Sequence, residues 1–150
     1  MPMFSLAYRS RNLIEGMFPD SLGEMQKLLD VSRARNAGLG VTGALIFNEG
    51  VFAQILEGDE AAVREIFKSI EKDPRHTGIV VLPSQTYDDR RFEKWSMAFV
   101  GPSKRASDYY ERFSLINGFE WTRASAGALL EIVLDLVENE NSAGTNPKLN

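Results

Sequence analysis

The sequence predicts an α+β protein with a mixed five-stranded β-sheet, two helices on one face of the sheet and two C-terminal helices covering the other. Short β-rich runs alternate with amphipathic helical stretches in the order βαββαββ. A short turn that contains glycine separates the second and third runs, which is typical of a hairpin. With 150 residues, of which 43% are hydrophobic, the chain is long enough to bury the core of a single domain.

The first predicted strand and helix lie within the first 40 residues of the chain. Residues 3–9 alternate as a half-buried strand does, and one face carries Phe4, Leu6 and Tyr8. Ser21 and Glu24 have the spacing of a capping box at the start of a helix. Helical periodicity then continues to Asn36, and the glycines beyond it end the helix.

A hairpin and a second helix follow. Residues 41–47 and 51–57 are two β-rich runs, and Gly50 in the turn between them supplies the positive φ that a tight turn needs. Asp59 precedes the second helix as its cap, and Pro74 stops that helix. These elements therefore repeat the order strand, strand, helix.

Residues 79–82 and 95–100 form the last two predicted strands, joined by the polar stretch 84–94. The order then matches the split-βαβ, or ferredoxin-like, pattern, which places two helices on one face of the sheet. The opposite face needs a cover, and two predicted C-terminal helices have apolar positions that can supply one. Those positions are Tyr109, Tyr110, Phe113 and Ile116 in the first helix and Leu129, Leu130, Val133, Leu136 and Val137 in the second.

The chain divides into three expected segments. Residues 1–101 form the main domain, residues 102–138 form a helical extension, and residues 139–150 form a polar, disordered tail. No apolar run approaches the roughly 18 residues that span a membrane, and the N-terminus has no basic or long apolar segment. We therefore expect a soluble, cytoplasmic protein.

The composition excludes several classes of chemistry. With no cysteine, the chain has no thiol nucleophile, zinc finger, iron–sulfur cluster or thiol–flavin adduct. His76 is the single histidine, which excludes a histidine-rich metal site, and no GxSxG motif accompanies it. A net charge of −4 without long charged blocks gives no basis for binding nucleic acid or an anionic membrane. These absences argue against a hydrolase built on a Ser/His/Asp triad and against a histidine-rich metalloenzyme.

Tyr8 and Gln54 are the most informative polar residues. Strand alternation places Gln54 with Phe52 and Leu56 on a face that should pack against a helix, where an unpaired amide costs roughly 1–3 kcal/mol. Each residue alone fits ordinary packing with a satisfied polar group. The predicted topology, however, puts their two strands side by side, so the phenol and the amide can meet. Such a pair has more than one hydrogen-bond arrangement, because both groups can donate and accept.

Other polar and aromatic positions allow two interpretations each. Asn36 follows the predicted end of the first helix, where it is either a C-cap or an amide presented to a ligand between the helices. Trp95 and Met97 share a face of the last strand with Phe99, and core packing is the simpler interpretation. The sequence also has two basic clusters, Arg75 with His76 and Arg90 with Arg91. Each is either solvated loop charge or a site that recognises an anion or a carbonyl group.

Several motifs occur in order over about residues 2–100: Tyr8 at the end of an early strand, SRARN at 32–36, GVTG at 40–43, FAQILEG at 52–58, DPRH at 73–76 and RFEKWSM at 91–97. In this order and spacing they resemble the BLUF (blue light using flavin) photoreceptor domains. The remainder of the chain resembles the paired C-terminal helices of short, stand-alone members.

The resemblance implies a flavin, usually FAD with FMN or riboflavin as alternatives, held noncovalently between the two helices. Blue light would drive electron and proton transfer from Tyr8, and Gln54 would then rotate or tautomerise. Trp95 and Met97 would relay the change to the C-terminal helices. The side chains that the resemblance places around the flavin are Tyr8, Arg35, Asn36, Gln54, Ser69, Asp73 and His76, with Arg75 a further candidate.

The resemblance also implies a protein that is not an enzyme. It would signal by contact, through a homo-oligomer or through a separate effector such as a cyclic-di-nucleotide phosphodiesterase or a transcriptional regulator. A light-independent flavin or small-ligand sensor stays open as an alternative. An acylphosphatase-like hydrolase would use the same fold, but residues 9–16 lack the glycine-rich anion loop that it needs. An RNA-binding domain of this fold would carry an aromatic R/K-G-F-G/A-F-V-x-F run, which the sequence lacks.

Overall fold

A computed structural model describes residues 2–48, 51–93 and 95–100, together with residues 131, 133–135, 137 and 138 of a C-terminal helix. The elements in chain order are β1 (Met3–Asn12), α1 (Ile14–Met17), α2 (Ser21–Leu39), β2 (Thr42–Asn48), β3 (Val51–Gly58), α3 (Glu60–Glu71), β4 (His76–Val81), β5 (Gln85–Tyr87) and β6 (Ala98–Val100). Among these residues, no helix is long and apolar enough to cross a membrane.

The strands form one mixed sheet in the order β4-β1-β3-β2-β6, and β5 pairs with the start of β1. All of the pairings are antiparallel except that of β2 with β6. The predicted ferredoxin-like arrangement is confirmed, with β1 and β3 adjacent in the centre of the sheet. The sheet has one more strand than predicted, because β5 lies inside the polar stretch 84–94 and is too short for its periodicity to be visible.

The long helix α2 differs from the prediction at both ends. Asp20, rather than Ser21, caps its start, since Asp20 Oδ1 accepts a hydrogen bond from the backbone N–H of Gly23 at 3.0 Å. Gly40 ends the helix with φ of 68°, a left-handed conformation that favours glycine. Asn36 therefore lies inside the last turn of α2 and is not a C-cap.

Three strand boundaries and one helix also differ from the prediction. The first strand ends at Asn12 instead of residue 9. The fourth strand begins at His76 instead of residue 79, so the DPRH segment leads directly into β4. The last strand begins at Ala98 instead of Trp95. The single turn of α1 was not predicted. In contrast, α3 begins after Asp59 as predicted and buries Val63 and Ile66.

A β-bulge interrupts the pairing of β1 with β4. Arg9 pairs with Val80 and Arg11 pairs with Thr77, so one residue of β1 faces two residues of β4. Gly78, at φ of 64°, is one of these two β4 residues and adopts a conformation that side chains disfavour. The bulge lies just beyond His76, the first residue of β4.

Each face of the sheet carries an apolar cluster. On the helix side, which we name the cleft-side cluster, the buried members are Leu6, Tyr8, Ile14, Met25, Leu29, Val41, Leu45, Phe52, Leu56, Val63, Ile66 and Met97. On the other side, which we name the far-side cluster, they are Ala7, Ala44, Ile46, Ala53, Ile55, Leu82, Phe92, Ala98, Val133 and Val137. Alternation along β1, β2 and β3 divides their residues between the two clusters.

Val133 and Val137 belong to the C-terminal helix, so this helix covers the far side of the sheet as predicted. The other predicted C-terminal helix, the apolar positions 129, 130 and 136, and the tail at 139–150 lie outside the described residues. The predicted boundary between residues 101 and 102 also lies outside them.

Candidate functional site: a cleft between two helices

A cleft opens between α2 and α3, with the sheet as its floor, and encloses a cavity of about 90 Å³. Its apolar lining comprises Leu28, Val31, Leu45, Phe52 and Ile70. Its polar lining comprises Tyr8, Ser32, Arg35, Gln54, Ser69, Asp73, Arg75 and His76. A concave site that combines apolar walls with convergent polar groups is typical of small-molecule binding.

Tyr8 and Gln54 meet on the floor of the cleft. They are direct partners in the antiparallel pairing of β1 with β3. Both are buried, and Tyr8 Oη donates a hydrogen bond of 2.5 Å to Gln54 Oε1. Burial raises the pKa of the Tyr8 phenol, the nearby Asp73 raises it further, and Arg35 partly opposes them. The phenol therefore keeps its proton and presents it to the amide oxygen.

Met97 contacts the other side of the same amide. Gln54 Nε2 lies 3.5 Å from Met97 Sδ, and Met97 is fully buried in the cleft-side cluster. Trp95 instead packs half-buried against the far-side cluster. The prediction that these two side chains share a face is wrong, because residues 95–97 precede β6 and lack the alternation of a strand.

His76 joins β1 to the end of α3 at one side of the cleft. Its Nε2 lies 2.7 Å from the backbone oxygen of Ile70, and its Nδ1 lies 2.7 Å from Ser10 Oγ. Because a carbonyl oxygen can only accept, Nε2 carries a proton, and in the neutral ring Nδ1 accepts from the Ser10 hydroxyl. Both ring nitrogens of this buried histidine are thus satisfied.

An ion-pair network borders the cleft at the loop before β4. Arg75 donates to Asp73 from Nε and Nη2, at 2.9 and 2.6 Å, and from Nη1 to Glu24 in the first turn of α2 at 3.0 Å. Burial by itself would raise the pKa of the Asp73 carboxyl, but hydrogen bonds and charge from Arg75 bring that pKa below its usual value. The bond to Asp73 likewise raises the pKa of Arg75. The loop is thereby tied to α2.

Six of the seven side chains predicted to surround a flavin line this cleft: Tyr8, Arg35, Gln54, Ser69, Asp73 and His76. The seventh, Asn36, is fully buried and is not among the described residues that line the cavity. Its Nδ2 donates to the backbone oxygen of Ser96 at 2.9 Å, and its Oδ1 lies 3.4 Å from Arg35 Nε.

Sequence reasoning did not identify Ser32 as part of the site. Ser32 is buried on α2 and lines the cleft. The sequence does contain a signal for it, because Ser32 occupies a position in the apolar stripe of the helix. A polar side chain buried there needs a hydrogen-bond partner.

The residues of the cleft fit a flavin ring. Such a ring has flat apolar faces and one edge of carbonyl and N–H groups. Leu28 and Ile70 come from the two helices and supply apolar walls, while Gln54 offers both a donor and an acceptor on the floor. Arg35 and Arg75 add cationic donors at the margin, and burial lowers the pKa of Arg35.

A profile of the family described as "BLUF: Sensors of blue-light using FAD" matches residues 3–98, which is more than half of the chain. The chain belongs to the BLUF family. BLUF domains are flavin-based sensors of blue light, and the match covers every element from β1 to the start of β6.

Two curated relatives illustrate the family. The "Blue light- and temperature-regulated antirepressor BluF" of Escherichia coli is 39% identical over 74 residues, which are 49% of this chain and 18% of the relative. The "Photoactivated adenylate cyclase subunit beta" of Euglena longa is 31% identical over 80 residues, 53% of this chain and 9% of the relative. The chain thus spans less than a fifth of the length of either relative.

Solved structures match more of the chain. The dark state of the BLUF protein BlrB has a TM-score of 0.73 at 29% identity, over 89% of this chain and 96% of BlrB. The photo-activated state of BlsA has a TM-score of 0.75 at 25% identity, over 88% and 94%. A BlrP1 complex with cyclic diGMP from Klebsiella pneumoniae has a TM-score of 0.59 at 33% identity, over 66% and 24%. The overall fold is therefore that of BLUF proteins.

Proposed function

We propose that this chain is a blue-light photoreceptor that binds a flavin noncovalently in the cleft and signals through a hydrogen-bond rearrangement of Tyr8 and Gln54. The observation that carries the proposal is the 2.5 Å bond from Tyr8 Oη to Gln54 Oε1 on the cleft floor, with Met97 Sδ against the same amide. FAD is the form we expect, as in the description of the family. FMN and riboflavin carry the same ring and would fit the same cleft.

The Tyr8 proton is the first group to move in this proposal. When bound, the flavin supplies absorption of blue light and, once excited, an oxidising ring. A phenol that loses an electron becomes strongly acidic, and the Tyr8 hydroxyl already points at Gln54 Oε1. The proton therefore has a short path to the amide, whereas in the dark the raised pKa of Tyr8 holds it on Oη.

Gln54 is the bistable element. In the structure its oxygen accepts from Tyr8, while its nitrogen faces the weakly accepting sulfur of Met97. Turning the amide over would present its NH₂ group to Tyr8 Oη, whereas tautomerising it would present a hydroxyl at the same place. Tyr8 Oη can accept from either donor, because a phenol accepts as well as donates. Both arrangements retain a hydrogen bond to Tyr8, so a difference of a few kcal/mol decides which one is populated.

The remaining polar residues of the cleft would hold the ring. We propose contacts from Arg35, Ser69, Asp73 and His76, which lie around the cavity. The His76 contact would come from its ring carbons, because both of its nitrogens already have hydrogen-bond partners. Asn36 follows Arg35 on α2 and uses one amide proton on Ser96, so the second amide proton is the group we propose for the ring edge.

The output in this proposal is a change in contacts rather than catalysis. Met97 lies in the cleft-side cluster and Trp95 packs against the far-side cluster, so movement of residues 95–97 would reach Val133 and Val137 of the C-terminal helix. Residues 102–138 would then act as the output extension of the domain at 1–101, followed by a disordered tail at 139–150.

We propose a cytoplasmic homo-oligomer that contacts a separate effector protein, with no role for nucleic acid or a membrane. A transcriptional regulator or a cyclic-di-nucleotide phosphodiesterase would suit, because one relative is named an antirepressor and BlrP1 is described in complex with cyclic diGMP. The acylphosphatase-like alternative gains no support, since α1 occupies the place of its anion loop after β1.

The test is the absorption spectrum of the purified, flavin-loaded protein before and after blue light. We expect a small red shift that reverses in the dark. Tyr8→Phe and Gln54→Leu should each retain flavin and lose the shift. Tyr87 and Gln85 form a second tyrosine–glutamine hydrogen bond, of 2.8 Å, that does not line the cleft. Tyr87→Phe is therefore a matched control and should keep the shift.

Each other outcome has a defined meaning. A protein that does not take up flavin contradicts the photoreceptor proposal. Flavin uptake without a shift in the unchanged protein supports the light-independent sensor instead. A normal shift in Tyr8→Phe or Gln54→Leu would show that this pair is not the switch.

A further inference from the structure

The segment from Trp95 to Met97 is held by hydrogen bonds to three successive carbonyls. The oxygen of Trp95 accepts from the backbone N–H of Gly43 at 3.2 Å, and the oxygen of Ser96 accepts from Asn36 Nδ2 at 2.9 Å. The oxygen of Met97 accepts from Arg33 Nε at 3.0 Å. This segment is not part of a strand, so these bonds replace the ladder that would otherwise satisfy its backbone. Two of the three come from side chains of α2.

Arg33 differs from the other two donors in its charge and its reach. Its side chain is half-buried, and burial lowers the pKa of its guanidinium, although an arginine stays charged. Its Nη2 is buried and has no hydrogen-bond partner among the described residues. The hydrogen bond to the Met97 oxygen is thus donated by a partly desolvated cation. Hydrogen bonds from ionised donors are stronger than those from neutral donors.

The position of the Met97 sulfur depends on this main-chain contact. A methionine side chain has flexible torsions and repacks easily, so its packing alone does not specify one position. Fixing the carbonyl of the same residue limits where Sδ can lie, and here Sδ lies against Gln54 Nε2.

We propose that Arg33 is a positioning residue that holds the main chain of Met97 and thereby keeps its sulfur against the amide of Gln54. This inference rests on the proposed function in one respect, namely that the Gln54 amide is the switch. After illumination, the Gln54 amide would regain its dark hydrogen bonds only while the Met97 sulfur lies in position to contact Nε2. If that position of the sulfur is populated less often, the return to the dark state should slow in the same proportion.

The test compares Arg33→Met, which has similar length and no donor, with Arg33→Lys, which keeps a charged donor. Arg64→Met is the matched control, because Arg64 is exposed on α3 and pairs with Glu60 at 2.8 Å. The first measurement is the NMR signal of ¹³C-methyl methionine in the dark, flavin-loaded protein. In each variant the Met97 signals are those lost when Met97→Leu is added, which separates them from the signal of any introduced methionine. The second is the rate at which any light-induced red shift decays.

In Arg33→Met we expect the Met97 signal of the unchanged protein to fall about tenfold in population, with a second Met97 signal taking its place, and the red shift to decay about tenfold more slowly. Arg33→Lys should restore both to within about twofold, and Arg64→Met should change neither. If Arg33→Met does not fold, Arg33→Leu takes its place with the same expectation, because leucine also lacks a donor.

An unchanged Met97 signal in the folded Arg33→Met or Arg33→Leu variant overturns the inference, whatever happens to the decay. An equal change in Arg64→Met also overturns it, because the effect would then reflect charge alone. Absence of any red shift in the unchanged protein contradicts the proposed function but leaves the Met97 signal as a separate test of Arg33.

Discussion

Glu57 provides a prediction whose size follows from its hydrogen bonds. This carboxylate is buried at the end of β3, with 1% of its surface exposed. It accepts from the backbone N–H of Phe92 at 2.6 Å, from the backbone N–H of Arg91 at 2.9 Å and from Thr42 Oγ1 at 2.9 Å. Glu57 therefore anchors the beginning of the segment that leads from β5 to Met97.

Replacing Glu57 with Ala removes the acceptor from both N–H groups. The Phe92 N–H is buried, and a buried donor without a partner costs about 1–3 kcal/mol. The Arg91 N–H is only partly buried and should add about 1 kcal/mol, because water can reach it. We expect Glu57→Ala to lower the free energy of unfolding by about 2–4 kcal/mol. Glu57→Gln should lose about 1–3 kcal/mol, because its amide offers one oxygen and one mismatched donor.

The assay is urea unfolding at a fixed concentration of free flavin, since a ligand bound to the folded state shifts the midpoint. Glu60→Ala is the control, because Glu60 forms an exposed i,i+4 pair with Arg64 that should contribute only about 0.3–0.5 kcal/mol. A loss below about 0.5 kcal/mol in Glu57→Ala would refute the reasoning and indicate that another acceptor takes over the Phe92 N–H.

Two further predictions concern packing and pH. A Cβ at Gly43 would lie 2.1 Å from the backbone oxygen of Ile55, so Gly43→Ala should cost about 3 kcal/mol or more in urea unfolding. Gly38→Ala, in an open part of α2, should instead gain up to about 1 kcal/mol, and similar effects at both sites would contradict the steric argument. Arg75 keeps the pKa of Asp73 lower in the folded protein than in the unfolded chain. The ionised Asp73 therefore adds to the free energy of unfolding above about pH 4, and this contribution is lost as the pH falls through the folded-state pKa. Urea midpoints measured from pH 6 to pH 3 should therefore fall less in Asp73→Asn, and parallel curves would contradict this assignment.

The regular parts of the fold were predictable because their side chains follow simple periods. Tyr8 and Gln54 lie in long strands. Side-chain alternation therefore predicted the face of the sheet on which each lies, and the predicted topology placed their two strands side by side. The structure pairs the two residues directly. The start of α3 at Asp59 was predicted for the same kind of reason, since a capping residue preceded an apolar stripe.

The irregular parts were not predictable from periodicity. Trp95 and Met97 were assigned to one face because a strand was assumed where the backbone is not extended. Asn36 was placed just beyond α2 because it resembles a cap, whereas it lies inside the last turn and the helix ends at Gly40, one of the glycines predicted to end it. The contact of Arg33 could not be foreseen, since a long side chain binds a backbone oxygen that no pattern of residue types reveals.

The sheet between the cleft-side and far-side clusters is a single layer, yet the two clusters share no buried residue. Phe99 is the partly buried side chain, among those described, that packs against both. Substitutions in one layer of packing can therefore accumulate without compensating substitutions in the other. Such independence would let recombination replace the segment that covers the far side while the cleft stays intact, and it gives protein engineers a face on which to graft a new helix.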